Sequence, residues 1–543
     1  MTHIRKADGQ GDGKPRVTRR QFIQAVGVAG GTAAVMSAMS AWGHMAQAAS
    51  LEQPPELTTS GEGKSVVILG AGCAGLVCAY ELMNKGYNVT ILEAQDRVAG
   101  HAFTVRRGMH THEFGGERQV CDFDEGQWVD LGAWRIPYMH RGLQHYLSEF
   151  HIPCINHENL NMNAFVYQED PAAGRLAGKP VRIRQALIDM RGYSSELLAK
   201  AINQGQLDDE LTEEDRDKFV DYLIDVGLLS RDDLTYGPNT SRGWTALMGA
   251  GHDVLLPAEP FKLEDVLPFA AAHGDFTPWG SLFQQPVMLK PAKGMAQLFE
   301  EGFQPAVTPA LHLNAPVLEI HQDDAGVTIV YGAGTGDTQT ITADYCMTTI
   351  PLSVLLDMPD VDLSSEVRTA MAACRYAPVG KIGLQFKRRF WEQDDWIYGG
   401  ITSVDDGMIG SISYPTWDYH QQKGVIQGYY NFGTSAVEMS NKSYEDRIRY
   451  AVDYGAKIHG PAYQDEFEKG FSVAWHREPY SKGAWATWSN AGFQNELPKL
   501  IPPDGRIYFA GAFLSNEASW QEGAIQAAWK QLVALDERVA KGS

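Results

Sequence analysis

Lys64-Ser65-Val66-Val67-Ile68-Leu69-Gly70-Ala71-Gly72-Cys73-Ala74-Gly75 runs into an apolar-patterned stretch from Leu76 to Lys85, then Gly86, then Val89-Thr90-Ile91-Leu92-Glu93-Ala94. Val66–Leu69 is a short unbroken apolar run, the pattern of a strand buried on both faces. Leu76–Lys85 carries apolar residues at helical spacing, and Gly86 stops it. Val89–Leu92 is a second strand, closed by Glu93. Gly70 permits a tight turn, Gly72 lets the backbone approach a pyrophosphate, and Gly75 allows close helix-to-strand packing. The helix N-terminus turns free N–H groups toward the phosphates. Glu93 follows Gly75 by eighteen residues and is placed to accept both ribose hydroxyls. Its charge disfavours a 2′-phosphate. Strand, glycines, helix, strand and acid in register predict a dinucleotide-binding α/β fold, with Gly70, Ala71, Gly72, Ala74, Gly75, Glu93 and Ala94 around the cofactor.

Further segments bear on which dinucleotide binds. Arg97-Val98-Ala99-Gly100-His101 follows Glu93 closely. Near the C-terminus, Gly505-Arg506-Ile507-Tyr508-Phe509-Ala510-Gly511-Ala512 reads as a turn feeding a strand that ends in glycine. Trp520-Gln521-Glu522-Gly523-Ala524-Ile525 then opens a last helix through Leu535. In between, Pro316–Ile320 and Val327–Tyr331 form a hairpin about Asp323-Asp324-Ala325-Gly326, and Tyr345–Ile350 is a strand running into Pro351.

These segments resemble the flavin amine oxidase family, in its R-x-G-G-R and G-R-I-Y-F-A-G-E motifs. The chain departs from the usual pattern at Ala99 (glycine), His101 (arginine) and Ala512 (glutamate). The resemblance implies FAD, held also by Arg97, Gly100, His101, Gly132, Ala133, Trp134, Val317, Gly511, Ala512, Trp520, Ala524 and Ile525. Val317 would meet the adenine, and the helix opening after Trp520 would face the flavin pyrimidine carbonyl. Some relatives carry a cysteine bonded to FAD at the position of Ala484; alanine forms no such bond, so FAD is expected to be non-covalent. The implied fold class is α/β, with a discontinuous FAD-binding Rossmann-like domain of glutathione-reductase type (62–130, 286–350, 490–540). A mixed β-sheet substrate domain (131–170, 351–489) and a helical insert (171–285) complete it. Within the insert, Ile183–Leu198 and Glu213–Leu228 have helical periodicity, and the acidic runs beside them read as solvated faces.

Asp130-Leu131-Gly132-Ala133-Trp134-Arg135-Ile136-Pro137 is similar to the L-G-x-M-R-x-P segment of L-amino acid oxidases, with secreted bacterial enzymes the nearest in kind. This implies that Arg135 clamps a substrate carboxylate, for which a guanidinium fork is suited. A structural arginine paired with a buried acid is the competing reading. By the same resemblance Tyr414 shares that carboxylate, against its reading as an ordinary strand aromatic. Lys381 corresponds to the family lysine that holds a water against flavin N5, where a cation also favours the reduction of oxygen. Trp485 and Trp520 are implied as aromatic walls around the reacting amine, with Trp134 beside them. Lys381, Trp485 and Trp520 form the expected catalytic set. His101 and His476 receive no role as a base.

Composition narrows the function further. The 543-residue chain carries a net charge of −21, which argues against nucleic acid and anionic membranes as partners. Six cysteines lack any C-x-x-C or zinc-like spacing, so no metal site is expected, and Cys73, Cys78 and Cys346 read as buried packing residues. Residues 1–49 form an address label: Thr18-Arg19-Arg20-Gln21-Phe22-Ile23, a weakly apolar run to Trp42, and Ala46-Gln47-Ala48. They resemble a twin-arginine export signal, which predicts export by the twin-arginine translocase to the periplasm or beyond. The reading as a whole predicts oxidative deamination of L-amino acids to 2-oxo acids, with molecular oxygen as acceptor and ammonia and hydrogen peroxide as products. A monoamine or polyamine oxidase, an amino acid 2-monooxygenase giving an amide, and a quinone-linked dehydrogenase are its rivals. Many relatives are dimers, which implies a homodimer.

Overall fold

The computed structural model describes residues 51–251, 254–274, 282–334 and 336–542; the export segment predicted over 1–49 lies outside them. Ser65–Leu69 is the centre of a five-stranded parallel sheet, in the order Leu311–His312, Asn88–Leu92, Ser65–Leu69, Tyr345–Thr348, Ile507–Phe509. Chain segments far apart in sequence thus meet edge to edge, with Val66 beside Val89 and Tyr345, and Cys346 beside Ile507. Helices Cys73–Asn84 and Gln521–Ala540 pack together over this sheet, in a core that includes Ile68, Val77, Ile91 and Trp529. Val67, Ile68 and Leu69 have no exposed surface, and each contributes roughly 1.5–3 kcal/mol of apolar burial.

The last helix ends at Ala540, five residues beyond the expected Leu535. Asp536–Ala540 holds no glycine or proline, and Gly542, at φ +71°, is the first residue to leave the helical region. Asp536 accepts hydrogen bonds from the backbone N–H groups of Thr58 and Thr59 (2.9 Å each), which ties residues 58–59 to this helix.

A seven-stranded mixed sheet forms the second layer. Its order is Phe467–Ala474, Val379–Phe386, Gly424–Phe432, Ser411–Ser413, Ile401–Val404, Phe165–Tyr167, Val181–Arg182. Every residue of Val379–Phe386 is buried. In antiparallel register Lys381 faces Tyr430 on one side and Val473 on the other. The insert contains helices Ile183–Asn203, Glu213–Gly227 and Leu263–His273. The Thr212 hydroxyl caps the second by accepting from Asp215 N, and Glu213, Glu214 and Asp215 lie exposed at the positive end of its dipole. Among the described residues no helix is long and apolar enough to cross a membrane, and no group of three or more His, Cys, Asp or Glu is arranged to hold a metal ion. All six cysteines are free thiols; Cys78 and Cys346 are buried, whereas Cys73, at the start of the first helix, is half-buried and lines a cavity.

Candidate active site

One cavity of about 930 Å³ runs from the first parallel strands to the second sheet. Its dinucleotide end is a cradle made by absent side chains. A Cβ on Gly75 would lie 2.0 Å from the carbonyl oxygen of Gly70, so only glycine lets the helix start this close to the strand. A Cβ on Gly100 would lie 3.1 Å from Gly72 Cα, and its φ of +51° also favours glycine. Glu93 reaches the cavity wall while accepting from Ala71 N (2.7 Å) and Gln95 N (2.8 Å). Burial raises its pKa against those bonds. Gly70, Gly72, Ala74, Ala94, Gly100, Val317, Gly511, Ala512 and Ala524 line the same cavity.

Four residues expected around the cofactor do not line it. Ala71 braces Glu93 through its N–H. Gly75 serves helix packing. The Arg97 guanidinium turns back on its own loop, donating to Val98 O (3.2 Å) and Gly100 O (2.9 Å) and lying 4.2 Å from the Phe103 ring centre. Ile525 is fully buried in the core: one residue further round the helix than Ala524, it points inward. His101 does line the cavity, with Nε2 3.0 Å from Gly483 O and its ring 4.5 Å from that of Trp475. Burial lowers its pKa to about 4, so Nε2 is a neutral N–H donor that pins the 479–485 loop. His476 is spent on Ser440, 2.9 Å away, outside the cavity.

Ala99, where the family usually has glycine, sits at φ +77°. A left-handed conformation costs a non-glycine residue roughly 1–2 kcal/mol. Ala99→Gly is therefore expected to stabilise the protein by about 1 kcal/mol, read as a raised denaturation midpoint.

At the other end, Gly132, Ala133, Trp134, Arg135, Lys381, Tyr430, Trp485 and Trp520 line the cavity together. Lys381 Nζ donates to Gly132 O (2.7 Å) and lies 4.2 Å from the Tyr430 ring centre and 4.7 Å from that of Trp134. Burial, then the Arg135 charge, holds its pKa well below the usual lysine range. Arg135 is 7% exposed, donates from Nη1 to Asn159 Oδ1 (2.8 Å) and lies over the Trp134 ring at 4.5 Å. Burial lowers its pKa to about 10, which leaves it charged at neutral pH.

Tyr414 is not part of this cavity. Its buried hydroxyl is bonded to Thr402 Oγ1 (2.7 Å) and His459 Nε2 (2.8 Å), within the second core. The tyrosine beside Arg135 is Tyr430, which the sequence reading missed. The available signal was its strand: Tyr430 lies directly across from Lys381, while Tyr429, on the opposite face, enters the core. A register shift beside Gly428 separates that pairing from the rest of the strand, so counting along the sequence does not locate it.

The Arg135 turn is anchored from behind. Asp130 Oδ1 accepts from Thr104 Oγ1 (2.6 Å) and Met295 N (3.0 Å), and Asp130 Oδ2 lies 2.7 Å from Lys290 Nζ. Ile136 exchanges backbone hydrogen bonds with Leu289 (2.8 and 3.0 Å), in the ribbon formed by Cys154–Glu158 and Val287–Pro291. That ribbon carries Lys290 and leads into Asn159, so it sets the position of the guanidinium.

A half-buried carboxyl shapes the loop opposite. Glu478 accepts from Thr111 Oγ1, with Glu113 and Arg97 near it, and burial raises its pKa to about 7. A carboxyl raised in the folded state binds more protons folded than unfolded between about 4.5 and 7, so it lowers stability as pH rises through that window. Glu478→Gln is expected to flatten this part of a Tm-against-pH profile between pH 5 and 8.

A glycine cradle that admits a pyrophosphate, continuous with a cavity end walled by indole rings, one buried lysine and one buried arginine, defines a dinucleotide-dependent oxidoreductase. The profile of the family described as flavin containing amine oxidoreductase matches residues 73–531, and the chain belongs to that family. A second profile, pyridine nucleotide-disulphide oxidoreductase, matches residues 13–113. The cofactor is FAD, and the cradle fits it. Among relatives, an L-amino acid oxidase of Bothrops pictus is 26% identical over 487 residues (87% of this chain, 89% of that protein). The flavin-dependent L-tryptophan oxidase RebO of Lentzea aerocolonigenes is 26% identical over 507 residues (87% and 98%), and the putative L-amino-acid oxidase YobN of Bacillus subtilis (strain 168) is 27% identical over 490 (87% and 94%). The fold is shared with solved structures of cyclohexylamine oxidase from Brevibacterium oxydans IH-35A (15% identity, TM-score 0.57) and putrescine oxidase (18%, TM-score 0.56). Each covers 88% of this chain and 99% of the other.

Proposed function

We propose that the protein oxidises L-amino acids to 2-oxo acids, releasing ammonia and reducing oxygen to hydrogen peroxide. The observation that carries this reading is Arg135: a buried guanidinium in the wall of the cavity, beside Lys381 and over Trp134. Burying a cation is costly, and a bound carboxylate offsets that cost through two parallel hydrogen bonds. A simple amine has no group that does this. Relatives named as L-amino acid oxidases, spanning most of the chain, support the same reading.

The substrate carboxylate rests on Arg135, with the Tyr430 phenol as its second partner. Trp134, Trp485 and Trp520 exclude water and flank the amine. FAD, when bound, supplies the acceptor for the α-hydrogen with its electron pair and passes the electrons to oxygen. The substrate arrives as an ammonium and must lose a proton before its nitrogen lone pair can assist C–H cleavage. Lys381 Nζ, whose pKa burial holds well below the usual lysine range, is a side-chain atom of the cavity suited to take that proton, directly or through a water. Hydrolysis of the released imino acid completes the balance: amino acid, oxygen and water give 2-oxo acid, ammonia and hydrogen peroxide.

The test is oxygen uptake and peroxide release with L-amino acids, their D-forms and the corresponding decarboxylated amines. Turnover of L-acids alone supports the reading. Turnover of amines makes the protein an amine oxidase, an amide product makes it a monooxygenase, and flavin bleaching without oxygen uptake points to another electron acceptor.

We also infer twin-arginine export, on the sequence of residues 18–48. Replacing Arg19 and Arg20 together by lysine is expected to leave full-length chain in the cytoplasm, as seen by fractionation and immunoblot.

A further inference from the structure

A second, much smaller cavity of about 10 Å³ adjoins the first, and Trp134 is the one residue that lines both. Val129, Trp134, Pro415, Trp417 and Val425 give the small chamber a largely apolar wall, into which a few polar side chains are set. His157, Ser413, Gln427, Lys290 and Asp130 line it, and all are buried. Lys290 and Asp130 satisfy each other at 2.7 Å. The other three do not: both ring nitrogens of His157, Ser413 Oγ, and both Gln427 amide atoms find no hydrogen-bond partner among the described residues. Buried polar groups are almost always bonded, and three side chains with unpartnered polar atoms lining one chamber call for an occupant. The volume is that of one water, which needs two to four polar partners. A histidine and an amide each offer a donor and an acceptor, and a hydroxyl offers both, which matches water's own two donors and two lone pairs.

We propose that this chamber is a dedicated site for one internal water, and that His157, Ser413 and Gln427, by holding it, position Trp134 and through it the Arg135 guanidinium. The geometry gives the link. The His157 ring stands edge-on to Trp134, with centroids 5.2 Å apart. Trp134 in turn carries the Arg135 guanidinium at 4.5 Å and Lys381 Nζ at 4.7 Å on its ring. Burial, then the nearby Lys290 and Arg135 charges, holds the His157 pKa well below the usual histidine range, so it meets the water as one donor and one acceptor. Without a bonded partner, the imidazole and the amide would turn in search of one, and Trp134 would lose its backing.

Occupancy stands independently of the proposed activity; the positioning role rests on the carboxylate clamp. Two measurements separate them. In a high-resolution crystal structure of the FAD-loaded protein, a single water peak within hydrogen-bond distance of at least two of the three residues is expected. A chamber closed by side chains, or filled by a halide ion, overturns the proposal. The second measurement is binding of a non-reacting carboxylate, benzoate, followed by flavin absorbance, together with KM for an accepted L-amino acid. Gln427→Leu, which displaces the water but touches neither Arg135 nor the flavin cavity, is expected to weaken benzoate binding and raise KM about tenfold, with kcat and FAD content within about twofold. His157→Gln, which keeps a donor and an acceptor, should stay near the parent. Ser413→Ala removes one partner with little volume change and serves if Gln427→Leu misfolds, with a smaller rise expected. A water seen in the crystal but unchanged benzoate affinity in all variants would refute the positioning role. Failure of benzoate to bind the parent protein counts against the clamp itself, not the water site.

Discussion

Arg135→Met is expected to lower kcat/KM for L-amino acids by about 2–5 kcal/mol, roughly thirtyfold to several thousandfold, with FAD content unchanged. The size follows from burial. Arg135 is 7% exposed and its charge stands among aromatic rings, so a carboxylate meeting it leaves water entirely. Methionine fills much of the same volume and keeps a contact with Trp134, but it leaves that carboxylate desolvated and unbonded. The loss should appear mainly in KM if the clamp acts equally in the ground and transition states. It should reach kcat if the clamp also aligns the α-C–H bond. Decarboxylated amines provide the internal control, because they have nothing to lose. Steady-state oxygen uptake on both substrate classes measures the effect. An Arg135→Met enzyme with parental kcat/KM for L-acids would remove the basis of the proposed function.

Asp130→Ala is expected to destabilise the fold by about 3–5 kcal/mol, the cost of leaving one member of a buried ion pair alone. Asp130 and Lys290 are each 1% exposed and lie 2.7 Å apart. Asp130 also accepts from Thr104 Oγ1 and Met295 N, so three attachments go at once. The remaining ammonium would keep the faces of Trp128 and Trp417, 5.1 and 4.4 Å from Nζ, but no carboxylate partner among the described residues. Burial already lowers the pKa of Lys290 and Asp130 opposes that shift, so its removal lowers the pKa further. The sign with pH is then determined. The unfolded chain holds the Lys290 proton up to about 10.5 while the folded variant gives it up earlier, so the deficit should shrink as pH rises from 7 to 9. Denaturant titration at both pH values tests this. A deficit that grows with pH would mean that Lys290 is not the group left unpaired. The Leu131–Arg135 turn hangs from Asp130, so surviving activity should also show a raised KM.

The dinucleotide-binding half was legible in the sequence because its determinants are local. A strand buried on both faces, glycines where a Cβ would strike backbone, and an acid at the next strand end lie within thirty-one consecutive residues, and each expresses a steric or electrostatic requirement that does not depend on the rest of the chain. The same locality placed Gly72 on the cavity wall, and the family resemblance placed Gly100, Val317 and Ala524 there. It failed by one step at Ile525, which the helix turns about 100° away from Ala524, and at Arg97, whose long side chain folds back on its own loop.

The substrate half depends on which strands pair and in what register. Arg135, Lys381, Trp485 and Trp520 were found by motif and do share one cavity, but Tyr414, just past the strand Ser411–Ser413, and Tyr430, on the neighbouring strand, lie sixteen residues apart, and nothing local says which hydroxyl reaches the cavity. That was decided by the pairing of Lys381 with Tyr430 and by the hydrogen bonds of Tyr414 to Thr402 and His459. Asn159, Lys290 and His157 were likewise invisible, since a polar residue in an extended segment reads as solvent-facing until a second layer closes over it. The sequence by itself thus determined the cofactor cradle and the residue types of the chemistry. Only the tertiary structure decided which side chains stand together and which buried polar groups are left to find a partner, because register and burial are properties of contacts between distant segments.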